Sequence, residues 1–275
     1  MHHHHEPVHW FGTIFGSIVF LLLIAIYIVG VMISNKIYSQ WPLYRIVLWS
    51  LGIICIAISL VGPIAEKAHN SFQSHMMTHL LLGMLGPLLL VFSAPITLLL
   101  RCLKVQHARI VSRILKSKYV EFVSHPIIAT VLNMGGIWVL YVTPLYNAMH
   151  SSILLYSLIH FHVFLAGYVF TASMISFDPS PHRYSFIYRS IVLVLAMASH
   201  SILSKWIYAN PPQGIDKFDA EMGGIIMYYG GDFIDLIIVI VLCAQYFRRT
   251  QMGIRKNILT LVVQTKAMVC ATIFL

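Results

Sequence analysis

The chain has 275 residues, of which 59% are hydrophobic and only 10% charged, with a formal net charge of +9 and a mean hydropathy of +0.81. Soluble domains carry about 25% charged residues, so this composition cannot solvate a globular surface and makes lipid the solvent for most of the chain. The Lys and Arg residues fall in short clusters between apolar runs, which points to membrane orientation and argues against a nucleic-acid partner.

Residues 1–9 form a His-rich amino terminus. The run from Trp10 to Ile33 is too long for a signal-peptide core, and no basic segment precedes it, so it reads as a first membrane span. A helix needs about 20 apolar residues to cross the hydrocarbon layer. Seven runs meet this length: 10–33, 44–64, 75–100, 125–147, 150–175, 187–208 and 222–247. Backbone polar groups must be satisfied inside lipid, and no period-2 alternation marks a barrel, so the runs read as helices. The expected fold is an all-α integral membrane protein of about seven transmembrane helices, with a transmembrane domain over 10–247.

Basic residues set the orientation. They are Lys36 and Arg45 around the first loop, Arg101 to Lys118 between spans three and four, Arg183 and Arg189 at the edge of the loop between spans five and six, and Arg248, Arg249, Arg255 and Lys256 after span seven. These segments alternate consistently and belong to the cytoplasm, which places the amino terminus outside and the carboxyl terminus inside. The loops near His69, near Asn147 to His150, and from Asn210 to Glu221 then face outward. The basic tail, residues 248–275, is apolar from Ile258 onward but interrupted by Gln264 and Lys266, and reads as an interfacial helix. The four cysteines (Cys55, Cys102, Cys243, Cys270) form no CxxC and read as small buried hydrophobes.

Histidine is the informative residue. Five of the fifteen lie in the first ten residues. His69, His75, His79, His150, His160, His162 and His200 all fall outside or in the outer half to middle of a span. Polar ionisable groups at membrane depth are costly and mark function; the plain alternative for any one of them is a helix–helix hydrogen bond. His75 and His79 are spaced i, i+4, which puts both imidazoles on one helix face. Such a pair can hold a metal ion, and Met76 beside them would favour cuprous copper over harder ions, although methionine at helical spacing usually packs. His160 and His162, two apart, point to nearly opposite faces, so one is expected to face the bundle interior and the other a neighbouring helix. His200 lies at a depth similar to His160. Asp232 and Asp235 sit near mid-membrane in span seven, where Asp235 could pair with Lys205 or orient a histidine. Gly86-Pro87 should kink span three, and Gly83, Gly223, Gly224, Gly230 and Gly231 allow close helix approach.

The segment His75-Met76-Met77-Thr78-His79-Leu80-Leu81-Leu82-Gly83-Met84-Leu85-Gly86-Pro87-Leu88-Leu89, followed by Ala94-Pro95, resembles the signature of the CtaG-type assembly factors for caa-type cytochrome c oxidase. His160-Phe161-His162 through Asp178-Pro179-Ser180-Pro181 is similar to that family's fifth span and following loop. Asp219 with Gly223-Gly224-Ile225-Ile226-Met227 is similar to its entry into span seven, although Tyr228 and Tyr229 replace a tryptophan common there. The resemblance covers about residues 10–247. It implies a multi-pass protein of the bacterial plasma membrane that takes part in maturing a haem–copper oxidase, with an oxidase subunit as partner.

Residues and resemblance together lead to an expected outward-facing copper site, Cu(I) favoured. His75 and His79 are first ligands, Met76, His160 and His200 further candidates, His69 and His150 stand at the mouth, and His162, Asp232 and Asp235 are supporting polar groups. Two other classes compete: a haem-binding electron carrier using His79 with His160 or His200, and a proton or metal-ion transporter using Asp232, Asp235 and Lys205, against which no inverted repeat is visible. No nucleophile–base constellation or nucleotide fingerprint marks an enzyme. The sequence leaves open a homo-oligomer.

Overall fold

The computed structural model describes residues 6–68, 71–175, 177–179 and 184–273, with side chains for most of residues 14–251. Among these residues the chain is all helical: α1 (Glu6–Ile37), α2 (Leu43–Leu60), α3 (Pro63–Ala68), α4 (Phe72–Leu80), α5 (Gly86–Ser93), α6 (Pro95–Cys102), α7 (Val105–Leu115), α8 (Lys118–Val123), α9 (Pro126–Thr130), α10 (Gly136–Val142), α11 (Leu145–Met149), α12 (Ile153–Met174), α13 (Phe186–Ala209) and α14 (Lys217–Ile273). Six helical stretches among the described residues are long and apolar enough to cross a membrane. The stretch matching the expected fourth span, Pro126–Val142, is shorter, at 17 residues.

Span three, α4 through α5, is the centre of the bundle. Its apolar window is 72% buried, against 11–33% for the other five spans. Those others turn rows of large apolar side chains outward, such as Ile14, Leu21, Ile26 and Met32 on α1, as a lipid solvent requires. Inside, Phe72, Met76, Leu80, Met84 and Leu88 continue at helical spacing into a core with Leu193, Leu203, Ile207, Met227 and Ile238.

The expected disturbance at Gly86-Pro87 takes the form of a π turn, Leu81–Leu85. Pro87 has no N–H to donate to the Gly83 carbonyl, and the Gly86 N–H bonds back five residues to the Leu81 carbonyl. The Gly83 carbonyl is left facing α12, where a Cβ on Gly167 would lie 1.9 Å from its oxygen. Only glycine admits that approach. A second π turn, Val131–Gly135, joins α9 to α10.

Three boundaries differ from the sequence expectation. The run 75–100 is broken at Ala94, where the following Pro95 disfavours the right-handed helical conformation and the backbone takes a left-handed φ of +52°. The run 125–147 ends at Val142, ahead of Pro144, and α11 is a separate turn. The last span begins at Lys217, and its helix continues without a break to Ile273, so the backbone of the tail is an extension of that helix.

Candidate metal site

Helix α14 holds α4 in place at two levels. At its start the Asp219 carboxylate, in the first turn of α14, accepts from the Phe72 N–H (2.6 Å), the Gln73 N–H (3.2 Å) and the Ser71 hydroxyl (3.4 Å). A negative charge on exposed N–H groups at a helix start is favourable on both hydrogen-bond and dipole grounds. Below it, Phe72 and Leu80 lie so close to α14 that a Cβ on Gly223 would sit 2.5 Å from Phe72 Cδ1, and one on Gly230 2.4 Å from Leu80 Cδ1. Residues 72, 76 and 80 thus face α14, and the helical period sets His79 and His75 on the flank of that face, with Thr78 and Leu82 farther round.

There they line a small cavity with Leu140, Tyr141, Met149, Ile159, His160 and Val163. Its volume is about 10 Å³, roughly one water molecule. The Nε2 of His75 lies 3.1 Å from the Tyr141 hydroxyl. Its ring centre is 6.3 Å from that of His160 and 6.4 Å from that of His150, and Tyr146 packs against both His75 (5.0 Å) and His150 (5.1 Å). The Nδ1 of His160 is 2.9 Å from the Tyr156 carbonyl, which can only accept, so neutral His160 carries its proton on Nδ1 and its lone pair on Nε2. The Tyr156 ring stacks on His160 at 3.9 Å.

Deeper, His79 and His200 form a second pair. Their ring planes are nearly parallel, 17° apart, with centres 6.2 Å apart. His200 is seated against α14 at Gly231, where a Cβ would lie 2.2 Å from its Cε1. The Nε2 of His79 and both ring nitrogens of His200 are buried with no hydrogen-bond partner among the described residues, as is the Thr78 hydroxyl. Leaving such groups unmet costs about 1–3 kcal/mol each.

The expected residues sort as follows. His75, His79 and His160 come together around the cavity, His200 stacks behind His79, and His150 is exposed at the mouth beside Tyr146. His160 and His162 do point apart: His162 is exposed and its Nε2 lies 3.2 Å from the Leu132 carbonyl of span four. Met76 is fully buried in the core against Gly223, and the thioether residue lining the cavity is Met149. His69 lies outside the described residues. Asp232 accepts from the Ser201 hydroxyl (3.3 Å). Asp235 is buried. Lys205 stands over the Tyr228 ring at 5.1 Å, not on Asp235. Because α13 and α14 run antiparallel, with Ser201 beside Asp232, residue 235 lies farther from Lys205 than residue 228 does. No three His, Cys, Asp or Glu side chains among the described residues converge on one point, so the imidazoles stand as pairs.

Sequence reasoning missed Tyr141, Tyr146, Tyr156, Met149 and the capping role of Asp219. The tyrosines carry the only local signal: three of them cluster around the junction of spans four and five.

The histidine-bearing span, its glycine contacts and the capping aspartate all fall within residues 25–249, which match the model of the cytochrome c oxidase caa3 assembly factor family. The chain belongs to this family. An uncharacterised protein of Mycobacterium leprae is 26% identical over 261 residues, covering 87% of this chain and 39% of the relative. Uncharacterised proteins of Mycobacterium bovis and Mycobacterium tuberculosis are each 30% identical over 200 residues, covering 70% of this chain and 30% of the relative. The chain therefore spans less than half the length of these curated relatives. No solved structure matches it. This family member is a multi-pass protein of the bacterial plasma membrane.

Proposed function

We propose that this chain acts in the assembly of a haem–copper cytochrome c oxidase by holding a copper ion between its paired histidines and supplying it to an oxidase subunit. Family membership supports the assembly role. The observation that carries the copper reading is the trio of buried, partnerless ring nitrogens on His79 and His200. Two imidazoles joined through one ion by bonds of about 2.0 Å have ring centres about 6 Å apart, and this pair stands at 6.2 Å. The two-at-a-time arrangement also suits cargo, since a low-coordinate ion can be taken over by a competing ligand where a closed four-ligand cage would retain it. His75 and His160 offer a second station nearer the mouth, with His150 outside it. A cavity of about 10 Å³ suits one ion rather than a haem macrocycle. Here the chain's own residues bind and orient: Tyr156 sets the tautomer of His160, Tyr141 steadies His75, and Asp219 fixes the helix that carries both His75 and His79.

The test is copper stoichiometry of the purified full chain after loading with Cu(I) under reducing conditions. The variant His79→Ala/His200→Ala is expected to hold about one copper per chain fewer than the native protein, with His75 and His160 still in place. Unchanged stoichiometry in that variant, with folding intact by helical content, would sink the assignment.

A further inference from the structure

The end of the bundle remote from the paired histidines carries a feature that copper handling does not use. Between Glu66 and Glu121 the chain has no acidic residue, yet Lys104, Arg109, Arg113, Lys116 and Lys118 follow one another there. Helix α7 has no buried residue. Its apolar side chains Val105, Ile110 and Ile114 are 66%, 51% and 57% exposed, and Tyr119 and Phe122 on α8 are exposed as well. A helix with one basic face and one unmet apolar face, attached to the end of a membrane span, is built to lie in the bilayer interface.

Between α7 and the ends of α1 and α6 lies an open groove of about 760 Å³. Its wall is apolar, from Tyr38, Leu100 and Leu103, and its rim carries Arg109, Arg113 and Lys116. The apolar wall continues into side chains turned outward, Ile37 and Leu99, which are 69% and 46% exposed. Arg101 is committed elsewhere, over the rings of Tyr38 and Trp41 at 5.5 and 5.0 Å, and is not counted with the rim.

We propose that this groove binds the phosphate headgroup of an anionic phospholipid, with the acyl chains lying along Leu100, Leu103 and the outward face of α1. Charge selects the headgroup, and the apolar wall distinguishes a lipid from a free anion. Guanidinium forks pair with phosphate oxygens in two-point contacts, which a single point charge cannot do. The inference is independent of the copper reading.

The experiment uses the full chain, exchanged into neutral detergent and then mixed with phosphatidylcholine vesicles alone or containing a quarter phosphatidylglycerol, with retained lipid counted by native mass spectrometry. Retention of phosphatidylglycerol over phosphatidylcholine by roughly tenfold or more is expected, given about 1 kcal/mol per basic residue near an anionic surface. Arg109→Gln/Arg113→Gln/Lys116→Gln should lose most of that preference, while Lys36→Gln, which removes a charge outside the groove, should keep it. In the native chain, raising salt from about 0.1 to 1 M should cut the preference several-fold, a readout that stands even if the triple variant fails to fold. Equal retention of both lipids, loss of preference in Lys36→Gln to the same extent, or insensitivity to salt overturns the proposal. Displacement of the lipid by millimolar inorganic phosphate reassigns the groove to a free anion and overturns the lipid assignment.

Discussion

At the histidine end of the central helix, Asp219 reaches over from α14 to close the start of α4; at the basic end, Asp178 reaches over from the stretch after α12 to close the start of α6. Asp178 accepts from the Thr97 N–H (2.7 Å), the Thr97 hydroxyl (2.6 Å) and the Ile96 N–H (3.3 Å). Both are long-range caps on a helix start, and both follow a break in the chain. Their settings differ. Asp219 fixes the rotation of a helix that carries two site histidines, whereas Asp178 fixes the reversal at Ala94 that sends the chain out to the amphipathic α7. Burial pushes the Asp178 carboxyl above the ordinary carboxylate range, with the Thr97 and Ile96 hydrogen bonds and the Arg45 charge working against that shift. One device thus serves a binding pocket at one end and a membrane-surface connection at the other.

The comparison can be broken most severely at the glycine that lets the two halves of the bundle meet. Gly167→Ala forces a Cβ onto the Gly83 carbonyl, backbone that cannot swing aside; it should cost about 3 kcal/mol or more and be seen as a large loss of folded protein in a thermal unfolding scan. Next, Asp219→Ala should lower stability by about 1–2 kcal/mol and also weaken copper retention, while Asp178→Ala should lower stability comparably and leave copper retention unchanged. If both variants lose copper equally, the division of labour between the two caps fails.

Acid titration sharpens the same contrast. The folded Asp178 holds its proton more tightly than the unfolded chain does, so its contribution is fully present below the unfolded pKa and is lost as pH rises through the folded one. Asp178→Asn should therefore flatten that part of the stability–pH curve, measured by chemical unfolding in detergent, and an unchanged slope would refute it. Tyr141→Phe, which removes the hydroxyl facing His75, should weaken copper affinity several-fold by competition with a chromogenic chelator, at about 1 kcal/mol of hydrogen-bond energy. The smallest effect is expected at Met76→Leu, a volume-conserving change in the core worth less than about 1.5 kcal/mol, with copper stoichiometry unaltered. Copper loss in that variant would return Met76 to the ligand set.

Much of this molecule was legible beforehand because membrane composition is a strong signal. Apolar run lengths located six helices long enough to span and a shorter seventh stretch, helical spacing put His75 and His79 on one face, and spacing by two sent His160 and His162 apart. What misled was continuity of hydrophobicity. The run 75–100 stays mostly apolar on both sides of the break, with Ser93 and Thr97 the only polar side chains near it, yet Pro95 and a left-handed Ala94 end the span at Ser93. Methionine at helical spacing carried no mark of which face it would take, so Met76 went to the core and Met149, 70 residues from His79 in no obvious pattern, lines the cavity instead.

The sequence by itself determined the class of protein, the helical solution to backbone hydrogen bonding in lipid, and the set of histidines from which a site could be made. Those follow from local composition and helical period alone. Tertiary structure decided which histidines became partners, through contacts that local pattern does not encode. Gly223 and Gly230 draw α14 onto α4, Gly231 seats His200 behind His79, Gly167 receives a carbonyl freed by Pro87, and Asp219 sets the rotation of α4 from nearly 150 residues away. Pairing of imidazoles depends on helix rotation and distance at the ångström scale, and those are properties of the packed bundle.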